Sequence, residues 1–62
     1  MPRHSENSLE DIAGQVLVET PKAYRFYDGK TTEWLPKSQV DWDEDKGVMT
    51  MPYWLAKEKD FI

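Results

Sequence analysis

Four carboxylates crowd into five consecutive positions, Asp41, Asp43, Glu44 and Asp45 around Trp42, and form the densest charge in the chain. Acidic residues at alternate positions open a calcium loop of the EF-hand type, which also needs glycine at its sixth position and a bidentate glutamate at its twelfth. Lys46 and Pro52 stand at those two places. The match therefore stops halfway, and no metal or other cofactor is expected. The remaining chemistry is recognition, because a row of carboxylates at strand spacing with an aromatic among them presents an acidic stripe to a cationic groove. A plain solvated turn is the alternative, since runs of charge are most often hydrated faces.

A second constellation interleaves bases with rings. In Lys22-Ala23-Tyr24-Arg25-Phe26-Tyr27 a strand places Tyr24 and Phe26 on one face, as core, and leaves Arg25 and Tyr27 on the other. With Lys30 and Lys37, these outer residues resemble the stacking strands of small nucleic-acid-binding barrels, where rings stack bases and cations hold phosphates. Catalysis is not expected. The only histidine, His4, shares the N-terminal segment with Ser5 and Ser8, Ser38 has no nearby base, and there is no cysteine. No nucleophile with its base, and no tuned carboxylate pair, can be assembled from that inventory.

With 62 residues the chain can bury one small core and no more. Absence of cysteine removes disulfides and thiolate metal sites, so a reducing cytoplasm is the expected setting. No apolar run approaches the roughly 20 residues of a membrane span, and the opening residues lack the apolar stretch of a signal peptide. Twelve acidic against eight basic residues give a net charge of -4, which opposes direct binding to phosphate backbones and favours a basic protein partner. That charge is uneven. Arg3 against Glu6, Glu10 and Asp11 leaves residues 1–11 at -2, residues 41–45 carry -4, and the remainder is +2.

The elements that would hold these residues follow from periodicity and turn chemistry. Residues 1–8 carry one apolar side chain and are expected to form a disordered tail, with 9–62 as a single small domain. From Leu9 to Glu19 a β-branched run predicts one strand, ended by Thr20-Pro21. Lys22–Asp28 and Lys30–Leu35 flank Asp28-Gly29, the dipeptide suited to a two-residue type I′ hairpin. Ser38–Trp42 predicts a further short strand, 41–47 a polar turn and Val48–Met51 a last strand. Pro52 fits the first position of a C-terminal helix docked through Trp54 and Leu55, with Ala56 and Phe61 on the same face. The expected fold is α+β, mostly β: an antiparallel meander or curled sheet of three to five strands with one short terminal helix. Its expected core is Ile12, Val16, Val18, Tyr24, Phe26, Trp34, Val40, Val48, Trp54 and Leu55.

The segment Trp34-Leu35-Pro36-Lys37-Ser38-Gln39-Val40, an acidic turn, and then Met51-Pro52-Tyr53-Trp54-Leu55-Ala56-Lys57-Glu58-Lys59 resemble a group of small proteins from phages, prophages and other mobile elements. The resemblance covers roughly residues 15–62 and departs at Asp60, where the group commonly has a helix-ending glycine. It implies a phage context, in which small acidic proteins without catalytic residues resemble inhibitors of host complexes, including anti-CRISPR proteins that mimic DNA. On that implication Asp41, Asp43, Glu44 and Asp45 stand in for phosphates against a basic groove of a host protein. The alternative is an accessory module of phage replication or recombination that binds nucleic acid through Arg25, Tyr27, Lys30 and Lys37.

Overall fold

Strand propensity runs unbroken from Leu9 to Glu19, yet the chain turns sharply in the middle of it. The computed structural model describes residues 8–62 and places β1 at Leu9–Ala13 and β2 at Gln15–Glu19, separated by Gly14 and belonging to different sheets. The cause is close approach. A Cβ on Gly14 would lie 2.3 Å from the Tyr27 carbonyl oxygen and 2.6 Å from the tip of the Phe26 ring, so only glycine lets the chain cross there. The Gly14 N–H donates to the Gly47 carbonyl at 3.0 Å, which keeps the bend's donor satisfied. The single strand expected over this run is thus two.

With β3 at Ala23–Tyr27, β4 at Thr32–Pro36, β5 at Asp41–Asp43 and β6 at Val48–Pro52, the described residues form two three-stranded antiparallel sheets, ordered β1-β6-β5 and β2-β3-β4, with one short C-terminal helix, and the fold is small α+β as expected. The hairpin of β3 (Ala23–Tyr27) and β4 (Thr32–Pro36) forms where Asp28-Gly29 predicts it. Its loop differs. Only Gly29 has a positive φ, at 106°, whereas type I′ requires two such residues. Instead an Asp28 Oδ1 accepts the N–H groups of Lys30 and Thr31 at 2.9 and 2.7 Å, an aspartate turn that spreads the loop over 28–31. After Pro36, Lys37–Gln39 make one turn of 3-10 helix that carries the chain to the other sheet, so the strand expected from Ser38 begins only at β5, Asp41–Asp43. Gly47, with φ of 66°, closes the turn into β6, Val48–Pro52.

The helix α1 spans Tyr53–Glu58. Pro52 is its extended N-cap, not its first helical residue, and the Tyr53 N–H donates to the Ser8 carbonyl at 2.6 Å. Ser8, expected in the tail, is thereby bound to the domain; the rest of that expected tail, residues 1–7, lies outside the described residues. At the other end the Phe61 N–H reaches the Ala56 carbonyl and the Asp60 N–H that of Lys57, at 2.8 and 3.2 Å. This is a Schellman closure with Asp60 left-handed at φ of 64°, in the place where glycine is usual.

The core is Phe26, Leu35, Met49, Met51, Leu55, Ala56 and Phe61, with Ile12, Val16, Tyr24, Val40 and Trp42 packed against it. Phe26 is its centre, edge-on to Trp42 at 5.8 Å and to Phe61 at 5.5 Å between ring centroids. Four expected core residues lie outside: Val18, Trp34 and Trp54 are 44%, 42% and 38% exposed, and half-buried Val48 alternates with Met49 onto the other face of its strand. The helix therefore docks through Leu55 and Ala56, backed by Phe61, and not through Trp54. A bulge between Val16 and Val18 inserts Leu17 opposite β3 and reverses the side on which Val18 points.

Two stability measurements test this architecture. Gly14→Ala should destabilise by roughly 1–3 kcal/mol or more, since the obstructing atoms include backbone, and a urea midpoint equal to wild type would contradict the close approach. Asp60→Gly should raise stability by about 0.5–1 kcal/mol by relieving the left-handed residue, and a loss of stability would show that the Asp60 side chain contributes more than its strain.

Candidate functional site

Alternation along β5 separates the acidic segment into two roles. Asp41 and Asp43 point to the outer face of the β1-β6-β5 sheet, while Trp42 points inward, half-buried against Phe26. Register then adds a carboxylate from the far end of the sequence. Asp11 on β1 and Asp41 on β5 both stand opposite Thr50 of β6, one on each side, and the Thr50 hydroxyl donates to Asp11 Oδ1 at 2.6 Å. Asp11 and Asp41 are thus two strand spacings apart, about 9.5 Å, and Asp41 and Asp43 about 6.7 Å along the strand. Glu44 and Asp45 continue the row into an exposed turn. Asp43 orders that turn twice over: its side-chain Oδ1 accepts the Lys46 N–H at 3.1 Å, and its backbone carbonyl accepts the Gly47 N–H at 2.8 Å.

This geometry offers carboxylates spread over a surface, not converging on a point. Among the described residues no group of three or more His, Cys, Asp or Glu side chains is placed to hold a metal ion. The face can pair with several separated cations at once, and each such pair is worth little unless many form together.

The opposite sheet holds the second constellation. On the outer face of β2-β3-β4, Arg25 is flanked by Val18 on one side and Trp34 on the other, its guanidinium 5.8 Å from the Trp34 ring centroid. Tyr27 lies two residues along the same face, and its hydroxyl donates to the Gly29 carbonyl at 2.9 Å. Lys30 stands exposed at the hairpin tip. Lys37 does not join them. Its ammonium sits 2.6 Å from Glu19 Oε2 and 4.9 Å from the ring centre of Tyr24, which faces away from Arg25. The structure thus gathers Arg25, Tyr27 and Lys30 near one end, adds Trp34, and removes Lys37.

Sequence reasoning missed Asp11 and Trp34 as surface residues. For Asp11 the signal is local alternation, because Ile12 must face the core; for Trp34 it is Leu35, the more apolar of two neighbours competing for the inner face.

Comparison with protein families, with curated proteins and with solved structures finds no match to this chain. Among the described residues, no helix is long and apolar enough to cross a membrane.

Partial desolvation pushes the Asp28 carboxyl up, but the N–H groups of Thr31, Lys30 and Asp28 itself and the nearby Lys30 charge together hold it below its ordinary value of 3.8. A lowered carboxyl contributes stability that is fully present above the unfolded value and is lost as pH falls through the folded one. Titration of Asp28 followed by NMR should have its midpoint below 3.8, with the hairpin loosening only under more acidic conditions. A midpoint at or above 3.8 would mean that the aspartate turn does not persist in solution.

Proposed function

We propose that this is a non-enzymatic binding protein that seats its acidic sheet face in a basic, nucleic-acid-binding groove of a host protein complex. The single observation that carries this reading is the row of Asp11, Asp41 and Asp43 on one sheet face, continued by Glu44 and Asp45 in an ordered turn. Fixed by strand register, these carboxylates keep their separations without further ordering cost, as a nucleic-acid mimic requires. They also raise the rate of encounter with a cationic partner and repel competing polyanions. The resemblance of residues 34–40 and 51–59 to small phage and mobile-element proteins supports an inhibitor of the anti-CRISPR kind, working in the cytoplasm of a bacterial host. Trp42 serves from behind, as the half-buried ring that anchors β5 to the core.

A second reading, an accessory module that binds nucleic acid directly, is favoured by one observation: Trp34 stacks beside Arg25 on an exposed sheet face, a ring and a cation arranged as single-stranded nucleic acid would meet them. The net charge of -4 opposes it.

Reversal of the exposed Asp41, Glu44 and Asp45 to Lys should abolish capture of a bacterial partner complex and competition with DNA for it, while the melting temperature stays within a few degrees, because exposed charges contribute little to stability. Arg25→Ala should leave capture intact. Micromolar or tighter binding of the isolated protein to short duplex or single-stranded DNA would overturn the mimicry reading in favour of the accessory module.

A further inference from the structure

Neither sheet closes on the other. Among the described residues strand β2 pairs only with β3, and β5 pairs only with β6, so each keeps one edge that none of those residues covers with a strand. The two free edges border a cleft of about 430 Å³ walled by the whole of β2 together with Trp42 and Glu44. Natural edge strands are usually shortened or guarded by Lys or Pro. β2 has neither guard within its five residues, Gln15-Val16-Leu17-Val18-Glu19, and Leu17 and Val18 are 49% and 44% exposed. The bulge between Val16 and Val18 interrupts the pairing with β3, yet all five residues of β2 line the cleft.

We propose that this cleft receives an extended segment of a partner protein, with basic and apolar residues in alternation, that adds a strand to β2. Backbone pairing along the five-residue edge supplies affinity, and alternate side chains supply specificity. Apolar side chains of the segment face Leu17 and Trp42. Cationic ones face Glu44, whose carboxylate has no partner among the described residues, whereas Glu19 at the other end of β2 is already held by Lys37. The Gly14–Gly47 hydrogen bond ties the Gln15 end of β2 to the acidic turn, so this sign of charge is fixed beside the edge. The same charge argues against a second copy as occupant, since each chain brings -4 and its own Glu44. The proposal stands apart from the outer face of Asp11 and Asp41, although Glu44 borders both surfaces.

The test uses the full chain, isotopically labelled, titrated with a capped Lys-Val-Lys-Val-Lys peptide and with the same peptide methylated on every backbone nitrogen. We expect amide shifts and new exchange protection in residues 15–19 and a shift of the Trp42 indole. The methylated peptide should bind at least about tenfold more weakly, because it cannot donate to a strand edge. Glu44→Gln should weaken binding by roughly two- to fivefold, and the double variant Asp11→Asn, Asp41→Asn should leave it unchanged. Equal binding of the two peptides, shifts confined to the outer acidic face, or no response of β2 at millimolar peptide would each overturn the proposal. If only the double variant loses the peptide, the outer face binds it and the cleft does not, which leaves the proposed function standing without this inference.

Discussion

The contact of Gly14 with the Phe26 ring and the Tyr27 carbonyl sets the geometry on which everything else depends. With no side chain at Gly14, β1 and β2 fold over Phe26 instead of running straight, and the two strands enter separate sheets. Phe26 can then hold Trp42 from one side and Phe61 from the other, which brings the second sheet, the acidic strand and the C-terminus onto one ring. A chain this short has little surface to bury, so one aromatic touched by every layer does the work that larger domains distribute over several. The Gly14 N–H, bonded to Gly47, also joins the bend to the acidic turn. Core and candidate site are consequently coupled through two glycines.

That bend sorts charge as well as strands. The sheet built from β1, β6 and β5 presents Asp11, Asp41 and Asp43, and the sheet built from β2, β3 and β4 presents Arg25 with Trp34 and Tyr27. The unevenness visible along the chain becomes an unevenness between faces, and only the fold could decide which acidic residues share one. Glu19 and Lys37 illustrate the converse. Both are candidates for a charged surface by composition, yet they neutralise each other across the gap between β2 and the 3-10 turn.

The fold class, the central hairpin, the terminal helix and the acidic turn were legible in the sequence because each has a local cause: alternation, a turn dipeptide, a proline before an apolar cluster, a run of carboxylates. What local pattern could not supply was phase. In β4 both Trp34 and Leu35 are apolar, and the pairing of Tyr24 with Leu35 puts Leu35 inward. In β2 the bulge at Leu17 reverses the alternation, so Val16 is packed and Val18 is not. In β6 Met49 and Met51 are fully buried because they stand opposite Trp42 of the neighbouring β5 and opposite Ile12 and Glu10 of β1, at the far end of the chain. Alternation with Ile12 puts Asp11 on the outer face, but its companions there depend on register, as its bond to Thr50 spans 39 residues.

Asp60 shows how a local rule can be broken at modest cost when tertiary contacts insist. The Schellman closure requires a left-handed residue, and aspartate accepts that conformation more readily than most side chains. What the closure secures is Phe61, which it turns back over Ala56 and onto Phe26. Burial of that ring outweighs the strain at a single residue, since removing a buried aromatic costs about 3–5 kcal/mol against roughly 1–2 kcal/mol for one left-handed position. The C-terminus is therefore held by the same ring that bends the N-terminal strands, and the orientation of the acidic strand depends on both ends of the domain closing upon Phe26.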